Sequence, residues 1–280
     1  MSYKTILVHL HDKRRAERLL EASIPLARAM SGHLIGLAVL PPFVTIPASE
    51  GIGTSVTVDE HRIAYASEMQ ALKELFTETA KRPDAAFEWR EADAGFTTAA
   101  GTIIEHGRAA DLIVIAQKAA AWGYSEMLEE PERITIGSGR PVLIVPNAGD
   151  ITMPPQRVVV AWNGTREGTR AVFDALPLLQ RAKDVTVLWI DPGKDKAAAG
   201  DLPGAELCTS LARHGVCCSA VSVTSDGGDV GRELLTQVKA NRADLLVMGA
   251  YGHTRWREFF LGGASKHVFA NMSCPVLMSH

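Results

Sequence analysis

Four glycines stand in the stretch DLLVMGAYGHTRWREFFLGGASKHV: Gly249, Gly252, Gly262 and Gly263. Arg255, Arg257, Lys266 and His267 lie among them. Three positions separate Gly249 from Gly252, and a gap of nine residues leads on to Gly262. Glycine lets backbone press against a ligand because no Cβ intervenes. Gly262 and Gly263 come just before a helix predicted from Ala264. The start of a helix offers free N–H groups and partial positive charge to a phosphate. Ser265 adds a hydroxyl. The spacing therefore suits a phosphorylated ligand, with Gly249 and Gly252 beside a sugar and Gly262 to Ser265 around phosphates. The same glycines would also serve as caps and turns, and spacing alone leaves both readings open.

Catalytic patterns are missing from the chain. It contains no G-x-S-x-G, no G-x-x-x-x-G-K-[ST] and no G-x-G-x-x-G after a strand. Ser265 has no evident base, so no catalytic residue is expected. Asp226 and Asp229, in SDGGDVG, read as turn and cap residues. His9 and His11 are two apart on a predicted strand and would share a face. A metal needs more ligands than two, and only His106 is a further candidate, so no metal site is expected. Trp162 either lines a pocket or closes the core. Trp256, Phe259, Phe260 and Leu261 read as an apolar anchor for their loop.

The elements that would position the glycines are legible as runs and periods. In the first half, strands are predicted at Thr5–Leu10, His33–Leu40, Ala86–Glu91, Leu112–Ala116 and Val142–Val145. Helices are predicted at Arg14–Met30, Glu60–Lys81, Thr98–His106 and around Pro131–Gly137. In the second half, strands fall at Val158–Trp162, Val185–Ile190, Ser219–Val223, Leu245–Met248 and Val276–Met278. Helices fall at Arg166–Gln180, Leu202–Arg213, Val230–Asn241 and Ala264–Asn271. Strands such as ADLLVM are apolar at consecutive positions, as strands covered on both faces must be. Alternating βα units of this kind predict doubly wound, five-stranded parallel sheets. Ligands of such sheets bind beyond the carboxyl ends of the strands, where strand order reverses. Gly249 falls at such an end.

The order occurs twice. Ile6 aligns with Val158 and Pro25 with Pro177 at an offset of 152. Ala110 aligns with Ala243 at 133, and Pro141 with Pro275 at 134. The change in offset marks a deletion of roughly 18 residues inside the second half. Two homologous α/β domains in tandem are expected, residues 1–147 and 156–280, joined through the turn-rich PNAGDITMPPQ.

Composition sets the class. The chain has 280 residues, 46% apolar and 22% charged, and a net charge of −3. That balance fits packed cores and argues against a general nucleic-acid binder. No apolar run reaches the ~18 residues of a membrane span. The amino-terminal segment lacks a signal-peptide layout, and the expected compartment is the cytoplasm. The four cysteines, Cys208, Cys217, Cys218 and Cys274, form no C-x-x-C and read as reduced thiols.

The G-x-x-G-nine residues-G pattern between a fourth strand and fourth helix resembles the universal stress protein family. VAWNGTREGTRA, ADLLVMG and SCPVLMSH are similar to it as well, and both halves match its layout. The resemblance implies a Rossmann-like, adenine nucleotide alpha hydrolase-like fold and binding of ATP, or ADP or AMP, with Mg as a candidate companion. It implies adenine near Asn163, Ile190 and Met248, ribose at Gly249 and Gly252, and phosphates at Gly262, Gly263, Ala264 and Ser265. It also implies a stress or signalling role, pairing of the fifth strands in an intramolecular pseudo-dimer, and a candidate homodimer. Two residues depart from the family: Asn163 stands for its usual Asp, and Gly263 for its usual Ser or Thr. By offset, the first half places His11 at the Asn163 position, Ala116 at Gly249 and Ala119 near Gly252. Leu128 or Glu129 falls at the third glycine. Carboxylates at Glu129 and Glu130 oppose phosphate, so the nucleotide site of the first half is expected to be degenerate. A nucleotide-free interaction scaffold and a slow ATP hydrolase are the rival readings.

Overall fold

The strands of both halves join in one sheet. The structure, a computed structural model, describes residues 2–41, 58–81, 86–95, 97–118, 131–192, 203–225, 229–250 and 263–280. The first half runs β1 (Thr5–His9), α1 (Lys13–Met30), β2 (His33–Leu40), α2 (Val58–Ala80), β3 (Ala86–Asp93), α3 (Ala99–Gly107), β4 (Leu112–Ala116), α4 (Pro131–Ser138) and β5 (Val142–Val145). The second runs β6 (Arg157–Ala161), α5 (Arg166–Asp174), α6 (Leu176–Leu179), β7 (Asp184–Ile190), α7 (Ala205–Arg213), β8 (Cys218–Val223), α8 (Val230–Ala240), β9 (Leu245–Gly249), α9 (Gly263–Asn271) and β10 (Val276–Ser279).

Strand order is β3-β2-β1-β4-β5-β10-β9-β6-β7-β8. Within each half the strands are parallel, and the order of the second half mirrors that of the first. The halves meet where β10 runs antiparallel to β5, with Leu277 opposite Leu143. Strands β4, β5 and β10 are buried along their whole length. Helices cover both faces, so consecutive apolar residues all find cover. One core layer joins α1, α5 and α6 to one face through Leu19, Leu26, Val172 and Leu178, and the other joins α3, α8 and α9 through Ile103, Leu234 and Val268.

Helix starts follow the capping residues. Asp12, Thr98, Thr165 and Asp229 each accept a backbone N–H from the first turn of the following helix. For Asp229 this is the cap the sequence predicts; Asp226 lies outside the described residues. The helix predicted at Arg166–Gln180 is two helices. Pro177 has no N–H to continue the ladder, so the chain restarts with this proline in the first turn of α6. The helix predicted from Leu202 starts at Ala205, after Gly204 at φ +88°.

Candidate nucleotide site

In the second half, the order reverses between β9 and β6. Asn163 follows the end of β6 and Gly249 ends β9, so the structure brings these two sequence-predicted residues to one crevice mouth. Met248 pairs with Ala161 across the two strands and is buried. Ile190 ends β7 one strand further out and is partly buried. Gly263 to Ser265 form the first turn of α9. Gly252 and Gly262 lie outside the described residues, as do Arg255, Trp256, Arg257, Phe259, Phe260 and Leu261.

Two glycine environments differ in kind. Among the described residues, a Cβ on Gly263 would meet nothing within 4 Å, and the residue is exposed. The start of α9 is therefore open at that position. A Cβ on Gly249 would lie 2.5 Å from Gly168 N and 2.6 Å from Glu167 C. The bareness of Gly249 is thus required by the first turn of α5, whatever ligand lies nearby. Gly168 in turn lies under Asn163, whose Oδ1 would be 2.8 Å from an added Cβ. Small residues let the start of α5 and the end of β9 close together, and the positive ends of two helices, α5 and α9, accompany the β6 and β9 ends.

Asn163 is already engaged. Its Oδ1 accepts from Thr165 N at 3.2 Å and from Thr165 Oγ1 at 2.8 Å. Thr165 Oγ1 in turn accepts Gly168 N at 3.2 Å. The amide therefore braces the cap of α5, and an adenine amine would share an acceptor that takes two bonds in this structure.

Two side chains, from α9 and from the cap of α8, stand beside the first turn of α9. Gly231, in the first turn of α8, sits against α9: a Cβ there would be 2.7 Å from His267 Cβ and 3.0 Å from Ala264 Cα. Asp229 Oδ2 lies 3.9 Å from His267 Nδ1. The Arg232 backbone N–H holds the Asp229 carboxyl below the ordinary carboxylate range, with His267 and Arg232 contributing charge. A carboxylate and an imidazole thus flank the first turn of α9. The sequence marked Asp229 as a cap and His267 as a basic residue among the glycines, but not that α8 and α9 bring the two together.

In the first half, two buried imidazoles stand at and just beyond the end of β1. His9 and His11 stack with ring centroids 5.4 Å apart, and both are buried. His11 Nε2 lies 2.8 Å from Asp12 Oδ2, which also takes Arg15 Nε at 2.7 Å. Burial resists the Asp12 charge, yet hydrogen bonds from His11 and the Arg15 backbone outweigh it and keep this carboxyl ionised far into acid. Among the described residues, no group of three or more His, Cys, Asp or Glu could hold a metal ion. Ala119, Leu128, Glu129 and Glu130 fall outside the described residues.

Residues 155–280 match the model of the universal stress protein family. Comparison with curated proteins returns no match. Among solved structures, the chain is similar to a universal stress protein from Archaeoglobus fulgidus DSM 4304, at 15% identity and TM-score 0.74, over 98% of this chain and 95% of that one. A putative universal stress protein from Pseudomonas aeruginosa UCBPP-PA14 is similar at 15% identity and TM-score 0.61, over 99% and 93%. The cytoplasmic domain of a prokaryotic cation chloride cotransporter is similar at 12% identity and TM-score 0.54, over 99% and 96%. At these identities the likeness is one of fold, and it spans both halves. No described helix is long and apolar enough to cross a membrane.

Proposed function

We propose that the second half, residues 156–280, binds ATP or a related adenine nucleotide in a stress or signalling role; the match of residues 155–280 to the universal stress protein family model supports this reading. Phosphates would lie at the first turn of α9, held by amides of Gly262, Gly263, Ala264 and Ser265, with Mg as their companion. Ribose would lie beside Gly249 and Gly252. Adenine would enter between Asn163, Ile190 and Met248. The observation that carries the reading is the open position at Gly263, on a helix start beside the strand-order reversal. Such a helix start presents unsatisfied N–H groups to an anion.

The first half, residues 1–147, would then act as the folding partner of the second in an intramolecular pseudo-dimer. Its pair of buried, stacked imidazoles supports that division of labour. The cytoplasm is the compartment this reading assumes.

A second reading is a nucleotide-free scaffold. It is favoured by the engagement of Asn163 Oδ1 with Thr165 and by the use of the Gly249 face for α5. Calorimetric titration of the intact chain with ATP and ADP separates the two. Saturable heat supports the nucleotide reading; no heat and no thermal shift at millimolar nucleotide support the scaffold.

A further inference from the structure

At the outer edge of the sheet, α7 lies against β8, the terminal strand of the second half. The chain reverses between them in a tight turn at His214 to Val216, where Gly215 adopts φ +77°. The reversal returns Cys218 to the side of Cys208. Cys218 Sγ donates to the Cys208 carbonyl oxygen at 3.6 Å. Both side chains are half-buried against the core, whereas Cys217 is exposed and Cys274 is buried elsewhere. The Cys218 sulfur thus lies against the backbone of Cys208 across the turn that joins α7 to β8, where an S–S bond of ~2.05 Å would tie the two elements.

We propose that Cys208 and Cys218 form a reversible disulfide when the chain meets a hydroperoxide, stapling α7 to the edge strand. The Cys218 thiolate attacks a peroxide oxygen. The O–O bond breaks, and the departing alkoxide or hydroxide takes the thiol proton. This leaves a sulfenic acid on Cys218. The Cys208 sulfur then attacks the Cys218 sulfur, the S–O bond breaks, and hydroxide leaves as water with the Cys208 proton. Two thiols lose two electrons, and one hydroperoxide becomes an alcohol (or water) and a second water. A dithiol reductant reverses the step and is itself oxidised to a disulfide.

The order of attack follows from the surroundings of the two thiols. Burial, and then the neighbouring Cys218, push the Cys208 thiol up to about 12. Burial also raises Cys218, but the neighbouring Cys208 opposes that rise. Cys218 is therefore the first nucleophile and Cys208 the resolving thiol. Thiolate is scarce in both near neutrality, so the reaction answers sustained rather than brief exposure and accelerates as pH rises.

The test is intact-mass and peptide mass spectrometry of the full chain after hydrogen peroxide treatment. The wild type and Cys217→Ser should lose two hydrogen atoms, with a peptide cross-link between Cys208 and Cys218 that dithiothreitol removes. Cys208→Ser and Cys218→Ser should keep their hydrogens. Retention of the loss in Cys208→Ser, a cross-link through Cys217, or oxygen addition without any cross-link would overturn the proposal.

Discussion

His9 shows how a single buried side chain ties stability to pH. It ends β1, is 1% exposed, and stacks on His11. Burial lowers its pKa well below the ordinary 6.5, and His11 and Arg15 lower it further, while Asp12 acts in the opposite sense. In the unfolded chain the imidazole takes up a proton at about pH 6.5. In the folded chain it resists until much lower pH. Between those points the unfolded state binds more protons, so stability rises with pH and falls as pH drops below about 6.5. The limiting slope is about 1.4 kcal/mol per pH unit. We expect thermal melts between pH 7 and 5 to show a smaller loss of Tm for His9→Leu than for the wild type. Equal losses would remove His9 from the account. Sequence placed His9 and His11 on one side of a strand. It did not reveal that both rings are buried and stacked on each other, because burial depends on what the folded chain packs around them. Asn163 was legible as a position for the same reason that its bonds were not. A strand end is written in a local apolar run, but an Asx-type brace onto Thr165 competes with any ligand and is settled only by the folded turn.

Among the elements, the strands were the most legible, since buried parallel strands are unbroken apolar runs bounded by turn-formers. Helix bounds were less so. Pro177 splits α5 from α6 although the apolar period continues past it. The approach of α5 to β9 was not legible at all. It rests on Gly249 meeting Gly168, far apart in sequence, and only the sheet order brings them together. The contact defines a prediction at this scale. In Gly249→Ala, the new Cβ would meet backbone atoms of Glu167 and Gly168 at 2.5–2.9 Å, and backbone moves less readily than side chains. The cost is about 1–3 kcal/mol, read as a lower midpoint in urea at unchanged m. An unaltered midpoint would show that α5 shifts freely.

The whole molecule is two halves of mirrored strand order sharing a sheet; the repeat offset pointed to two halves, and the family resemblance implied the pairing of their fifth strands. The pairing of β5 with β10 is accompanied by polar ties. Gln117, at the carboxyl end of the first half's fourth strand, is buried. Its Nε2 donates to Phe269 O of α9 at 2.7 Å, and its Oε1 accepts Asn147 N at 2.9 Å. Tyr3 Oη donates to Asp174 O at 2.5 Å, and Arg181 Nη2 to Ala29 O at 3.0 Å. Gln117→Leu leaves the buried Phe269 carbonyl and the part-buried Asn147 N–H without their partner, at a cost of about 1–3 kcal/mol. One cooperative melt at lower Tm is expected, and an unchanged Tm would contradict the tie. Because Gln117 grips the same helix whose first turn is the proposed phosphate cradle, the first half supports that cradle from behind. The most direct test of the cradle is calorimetric titration of ATP into wild type and Gly263→Asp. Aspartate is welcome at a helix start and has room there, so the variant should fold with Tm at least equal to that of the wild type while its carboxylate repels phosphate. The account predicts saturable heat for the wild type and at least a tenfold weaker affinity, about 1.4 kcal/mol, for Gly263→Asp. Equal affinity in the two proteins, or no heat from either, would contradict it.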